Sequence, residues 1–136
     1  DLDAEGKKIS IKDLDEIHYL KTGRLIEACV ESICLLKKNL SKKHLKFFLS
    51  FAKKFGLAFQ IKDDILDVLG DEKLIGKPLN SDSKKNKATY PSIIGIEASQ
   101  QRAEKLCLEA LNLLEKLPYN TENLIKLSKF IILRKN

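Results

Sequence analysis

LKFFLSFAKKFGLAFQIKDDILD, residues 45–67, joins a helical apolar pattern to a cluster of three acids. Apolar and small residues recur at steps of three and four, which predicts a helix with one inward face. Continuing that spacing leads to Gln60, Asp63 and Asp67. Because positions i and i+4 lie on the same side of a helix, we expect Asp63 and Asp67 to point inward. Asp64 alone would fit a solvent-exposed position.

Inward-facing carboxylates need compensation, because burying a charge is costly without a partner. A hard divalent cation with oxygen ligands supplies it, and Mg²⁺ suits such a set. The acids of residues 63–67 therefore predict a magnesium site, and lysines beside it would suit a diphosphate ligand. Candidates for that role are Lys77 and Lys87, one at each end of a long polar segment, and Lys21 of the tripeptide Lys21-Thr22-Gly23.

The rest of the chain predicts helices and loops without strand alternation, hence an all-α, single helical domain over residues 1–136. Ser10 with Asp13 matches a capping box. Gly23 within the first helix predicts a kink at Thr22 and Gly23, and it permits close approach of another helix or a ligand. Pro91 suits the first turn of a helix capped by Thr89 or Tyr90. The other predicted helices run from Ser10 to about Asn39, from near Ser41 to about Leu69, from about Gln100 to Leu117, and from Thr121 through Ile132.

Composition excludes several classes of function. The net charge is +6, but aromatic residues are only 7%, so no stacking surface for nucleic acid is predicted. No apolar run approaches the roughly 20 residues of a membrane span. The three cysteines form no paired spacing, which suits a reducing cytoplasm and makes a zinc site an unfavoured interpretation.

Three motifs in order give the chain a family resemblance: KTG at residues 21–23, FQIKDDILD at residues 59–67 and NKATYP at residues 86–91. With the GK at residues 76–77, they resemble the C-terminal half of all-trans short-chain prenyl diphosphate synthases, nearest to the bacterial farnesyl diphosphate synthase (geranyltranstransferase) type. The resemblance implies an antiparallel helix bundle around a central cavity, present here as its C-terminal part. Since the sequence contains no Met, we expect it to come from a longer polypeptide.

The resemblance also implies an activity, which is Mg²⁺-dependent head-to-tail condensation of isopentenyl diphosphate with an allylic diphosphate, dimethylallyl or geranyl. It implies a homodimer, and an N-terminal half of the same protein that supplies the first aspartate-rich motif. In this sequence GKPLNSD carries Asn80 where the family has glycine, and Asp82 follows as a further acid. Arg134 and Lys135 resemble the family's basic C-terminal end.

Site roles follow from the same resemblance. The metal ligands would be Asp63, Asp64 and Asp67, with Asp63 as the principal one. The allylic diphosphate would be bound by Lys21, Lys77 and Lys87. Residues in catalytic positions would be Lys21, Thr22 and Gln60.

Two other functions fit the same fold. A terpene cyclase would need a second metal motif with Asn or Asp and Ser or Thr at set spacings, and the sequence lacks one. A non-catalytic helical regulatory subunit would not need KTG, Gln60 and all three aspartates intact. Both alternatives are therefore less favoured than a prenyltransferase.

Overall fold

Helices make up the parts of the chain that the computed structural model describes, residues 9–75 and 88–133. They are α1 (Ile11–His18), α2 (Arg24–Leu36), α3 (Lys42–Ile75), α4 (Tyr90–Ile94), α5 (Ile96–Glu115) and α6 (Glu122–Leu133), with a π-helical turn at Tyr19–Gly23 between α1 and α2. These residues contain no strand, so the predicted all-α class is confirmed. None of the helices found in them is long and apolar enough to cross a membrane.

The predicted caps are present at both helix starts that the sequence indicated. Ser10 accepts from the Asp13 backbone N–H at 3.2 Å, and Asp13 accepts in return from the Ser10 backbone N–H at 2.9 Å. Thr89 accepts from the Ser92 backbone N–H at 3.3 Å at the start of α4. These contacts satisfy N–H groups that a helix start leaves unpaired.

Helix limits differ from the predicted ones at several ends. α2 stops at Leu36, earlier than expected, and Asn39 then adopts a left-handed φ of 65°. α3 continues past Leu69 to Ile75, since Gly70 alone does not break a helix. Gly95, with a φ of 84°, separates α4 from α5, and α5 begins directly after it, before the predicted Gln100.

α3 is the central helix of the described residues and packs most extensively against α5. Its first half forms one apolar cluster with α5 and α6, in which Phe51 and Leu114 are 2% and 0% exposed. Its second half forms another with α1, α4 and α5, around Leu14, Ile61 and Tyr90. Burying each large apolar side chain contributes about 1.5–3 kcal/mol, so the acid segment at the end of α3 lies on a firmly packed helix.

Candidate active site

The three aspartates of α3 differ sharply in exposure. Asp64 is 6% exposed, Asp63 is half-buried and Asp67 is exposed. The expectation that Asp67 points inward while Asp64 fits a surface position was therefore wrong for the described part of the chain. The reason is that Asp64 also lies four residues after Gln60, on the side of α3 that α1 and α4 cover.

Asp64 is held by two donors from distant parts of the chain. Its Oδ2 lies 2.9 Å from Nε2 of His18 and accepts from the Tyr90 backbone N–H at 3.0 Å. The donors are 46 residues before and 26 residues after it. One carboxylate oxygen thus joins α1, α3 and the start of α4.

Further side chains extend this contact into the buried polar cluster of Asp15, His18, Asp64, Tyr90 and Arg102, at whose edge the Asp15 and Arg102 side chains are 30% and 36% exposed. The His18 ring stacks on that of Tyr90, with centroids 5.5 Å apart. The Arg102 guanidinium lies 5.6 Å from the Tyr90 ring centre and donates to Asp15 at 2.7 Å. Four helices contribute to this cluster, so it fixes their relative positions at the acid end of α3.

Opposing effects act on the pKa of the Asp15 carboxyl group within the buried polar cluster. Burial raises the pKa of its carboxyl group, and the neighbouring Arg102 and His18 oppose that rise. Several atoms of the cluster lack a partner among the described residues: Asp15 Oδ1, His18 Nδ1, Tyr90 Oη and Arg102 Nε. Each such buried polar atom costs about 1–3 kcal/mol.

Sequence reasoning missed His18 as a site residue, because no metal-ligand spacing includes it. A signal was present, however. His18 follows Leu14 by one helical turn on the buried side of α1, and it precedes Lys21 by three residues. A polar side chain on an apolar face needs an internal partner, and the acids of α3 were the available ones.

Asp63 lies beside Gln60, one turn earlier on α3. Gln60 is 5% exposed, and its amide donates to Oδ2 of Asp63 at 3.3 Å. Asp67 is one turn beyond Asp63 on the same side of the helix. Helical spacing thus places Gln60, Asp63 and Asp67 on one side of α3, with Gln60 buried, Asp63 half-buried and Asp67 exposed.

The KTG tripeptide lies in the π-helical turn, where the Arg24 backbone N–H donates to the carbonyl of Tyr19. The sequence predicted a kink at Thr22 and Gly23, and the structure has a π-helical turn at this place. Such turns are frequent at functional sites. Lys21 is exposed and Thr22 half-buried.

Two glycines bring this turn against α3. A Cβ atom added to Gly56 would lie 3.1 Å from Cα of Gly23. The two backbones therefore approach more closely than side chains would permit. The contact places KTG about one turn before Gln60 along α3.

Six residues singled out in the sequence lie outside the described residues: Lys77, Asn80, Asp82, Lys87, Arg134 and Lys135. Among the described residues, a cleft of about 340 Å³ between α1 and α3 is lined by Lys12, Asp15, Glu16, Tyr19, Gly23, Lys53 and Leu57. It includes neither the acids of residues 63–67 nor Lys21, although Gly23 of the KTG turn and Asp15 line it.

The carboxylates of Asp63 and Asp67 suit Mg²⁺ as part of its ligand shell. Within residues 9–75 and 88–133, no three His, Cys, Asp or Glu side chains are grouped to hold a metal ion. Mg²⁺ is commonly bound through only one or two carboxylates, with phosphate and water oxygens completing its shell. Asp63 and Asp67 fit that description.

Comparison with known proteins identifies the family of this chain. A family model for polyprenyl synthetase matches residues 1–126. The chain belongs to the polyprenyl synthetase family. The resemblance inferred from KTG, FQIKDDILD and NKATYP is thereby confirmed.

Individual relatives are similar along nearly the whole chain. Over 137 residues it is 40% identical to a farnesyl diphosphate synthase of Haemophilus influenzae and 42% identical to a geranylgeranyl diphosphate synthase of Cyanophora paradoxa. These alignments cover 100% of this chain but 46% and 45% of the relatives. The chain thus spans less than half the length of these relatives.

A solved structure shows the same fold. The geranyltransferase from Helicobacter pylori, complexed with magnesium and isoprenyl diphosphate, superposes with a TM-score of 0.71 at 29% identity. The match covers 98% of this chain and 43% of that one. The described helices therefore correspond to part of a larger prenyl synthase fold.

Proposed function

We propose that this chain carries one side of the active site of a prenyltransferase, which condenses isopentenyl diphosphate with an allylic diphosphate, dimethylallyl or geranyl, to give farnesyl diphosphate or a similar short-chain product. The observation that carries the proposal is the grouping of Gln60, Asp63 and Asp67 on one side of α3, with the KTG turn against that helix. Family membership and the similarity to farnesyl and geranylgeranyl diphosphate synthases support it.

Asp63 and Asp67 would hold Mg²⁺, and the Gln60 amide would orient the Asp63 carboxylate. When bound, Mg²⁺ stabilises the negative charge that develops on a departing diphosphate. Asp64 is left out of this ligand set, because its Oδ2 already accepts two hydrogen bonds. Lys21, with Lys77 and Lys87, would neutralise the remaining charge of the diphosphate.

The reaction requires few groups from the protein beyond these. The allylic C–O bond breaks and its electron pair leaves with the diphosphate. The double bond of isopentenyl diphosphate supplies the pair for the new C–C bond, and a proton is then lost, for which the departing diphosphate is the nearest base. The side-chain hydroxyl of Thr22 and the side-chain amide of Gln60 would lie near the reacting carbons and orient them.

The missing part of the bundle would come from the N-terminal half of the same protein. One apolar side of α2 is uncovered in the described residues, with Leu25, Ile33 and Leu36 at 67%, 69% and 80% exposure. Together with coverage of less than half of each relative, this supports a partner from the same polypeptide. The placement of this chain as the C-terminal part, the homodimer and the cytoplasmic location remain predictions.

The test uses the intact natural protein with isopentenyl and geranyl diphosphates and Mg²⁺. We expect a linear prenyl diphosphate, and expect Asp63→Ala to reduce turnover by about 10²–10³-fold, as loss of a key electrostatic group does. Product analysis by chromatography and circular dichroism of the variant provide the measurements.

Glu115→Ala is a matched control, since it removes an exposed carboxylate at the far end of α5. It should leave turnover unchanged. A cyclic product would indicate a terpene cyclase, and no condensation by the folded intact protein would indicate a regulatory subunit. Unchanged kinetics in Asp63→Ala would contradict the metal assignment.

A further inference from the structure

Asp64 differs from its two neighbouring acids in what surrounds it. Both donors, His18 and the Tyr90 backbone, meet the same oxygen atom, Oδ2, at 2.9 and 3.0 Å. The side chains of Asp64 and His18 are only 8% and 4% exposed. A carboxylate that is buried and already accepts two hydrogen bonds is unsuited to bind an ion from the solvent side of α3.

The donors to Asp64 are themselves fixed by packing. His18 stacks on Tyr90, which is 0% exposed, and the Tyr90 ring lies under the guanidinium of Arg102. Arg102 is in turn paired with Asp15 of α1. The buried polar cluster therefore holds Asp64 from α1, α4 and α5, and this restrains rotation of α3 about its axis.

Rotation of α3 is what sets the direction of the neighbouring acids. Asp63 precedes Asp64 directly, and successive residues of an α-helix point about 100° apart. Fixing Asp64 therefore fixes where Asp63 and Asp67 project. The cluster also retains buried atoms without partners, His18 Nδ1 and Tyr90 Oη, which a purely apolar contact between the same helices would avoid.

We propose that Asp64 and His18 are positioning residues, which orient Asp63 and Asp67 through the buried polar cluster, and that Asp64 is not itself a ligand of the metal. This inference rests on the proposed function for the role of Asp63. The contact between His18 and Asp64 can be tested without it. The Gln and Asn variants of His18 are informative because the Gln amide nitrogen reaches the position of Nε2, whereas that of Asn is one bond short.

The first experiment is a double-mutant cycle on thermal unfolding of the intact protein. His18→Asn and Asp64→Asn should each lower the midpoint by on the order of 5 °C. The double variant should lower it by less than the sum of the two single losses, because both substitutions weaken the same contact. His18→Gln should restore most of the loss. Additive losses in the unfolding midpoint, or equal midpoints for His18→Gln and His18→Asn, would show that the contact between His18 and Asp64 does not stabilise the fold.

The second experiment measures binding of Mn²⁺ with inorganic pyrophosphate by calorimetry. Residues that orient metal ligands change affinity by about 10–100-fold when replaced. We expect about tenfold weaker binding in both His18→Asn and Asp64→Asn, near-normal binding in His18→Gln, and a larger loss in Asp63→Ala.

A loss in Asp64→Asn that equals the loss in Asp63→Ala, with His18→Asn unaffected, would show that Asp64 is a direct ligand and overturn the proposal. Failure of the proposed function is separate from this result. It would appear as normal binding in Asp63→Ala, whatever the unfolding cycle shows.

Discussion

Asp13 and Asp15 lie two residues apart on α1 but have opposite electrostatic surroundings. Asp13 accepts from the side chain and the backbone of Ser10, and these hydrogen bonds lower the pKa of its carboxyl group. Burial raises the pKa of Asp15, although Arg102 opposes the rise. The two carboxyl groups should therefore affect stability in opposite directions as pH changes.

Lowering the pH should reveal this difference. The folded-state pKa of Asp13 lies below the ordinary 3.8, so its contribution to stability is present above the unfolded pKa and is lost as pH falls through the folded one. The folded-state pKa of Asp15 lies above its ordinary value, so protonation of Asp15 favours the folded state as pH falls. NMR titration of the side-chain carboxyl carbons should give a lower midpoint for Asp13 than for Asp15.

Two variants control for this assignment. Asp13→Asn should remove the acid-dependent loss of stability that the capping box causes. Replacing Arg102 by Met should raise the Asp15 midpoint further, since the effect of burial on its pKa would then be opposed by His18 but no longer by Arg102. Equal midpoints for Asp13 and Asp15 in the unmodified protein would contradict the account.

At single residues, sequence reasoning succeeded where the cause was local. Ser10 with Asp13 and Thr89 are caps that a few neighbouring residues determine. The burial of Asp64 was missed because its partners lie 46 and 26 residues away, and helical spacing alone places Asp63 and Asp64 equally well after Gln60.

At the level of helices, the crossing of the π-helical turn and α3 depends on Gly23 and Gly56. Sequence reasoning predicted that Gly23 allows a close approach, and the structure identifies Gly56 as the other side of the contact. Helix types were predicted well because the apolar period is long and regular. Helix ends were predicted less well, because Gly95 and Asn39 act through backbone conformations that composition alone does not determine.

Gly56→Ala tests this crossing. Its Cβ would meet backbone at 3.1 Å from Cα of Gly23, so the two helices must separate, and we expect a loss of about 1–3 kcal/mol in unfolding free energy. Chemical denaturation provides the measurement. Because the same shift moves KTG away from α3, turnover should also fall.

Gly70→Ala is the matched control on the same helix, since no atom lies within 4 Å of a Cβ there. Alanine is the better helix former, so this variant should gain about 0.5–1 kcal/mol. Loss of stability at Gly70 comparable to that at Gly56 would show that the effect arises from helix propensity and not from the crossing.

For the molecule as a whole, the described helices leave one apolar side of α2 without a packing partner. Leu25, Ile33 and Leu36 follow one another at steps of eight and three residues along one helix face and are largely exposed. Exposed apolar patches of this kind promote association. The family match gives the wider fold, which composition alone could not, because this chain spans less than half the length of its relatives.

We expect the 136-residue chain on its own to associate and to bind a hydrophobic dye, because this face of α2 is open. Leu36→Lys should reduce both effects, measured by light scattering and dye fluorescence. Ser32→Lys adds the same charge at an exposed position without removing apolar surface, and it should change neither property much. A monomeric chain that binds no dye would contradict this view of α2.

The buried polar cluster also bears on the order in which the chain folds. Its contacts join residues 46, 26 and 87 positions apart, and such distant pairings close late compared with turns within one helix. During synthesis, α1 and α3 emerge before Tyr90 and Arg102 are available. The acid end of α3 therefore acquires its final orientation only after α5 has been made, so a nascent chain that ends earlier would be helical but would not yet hold Asp64 in place.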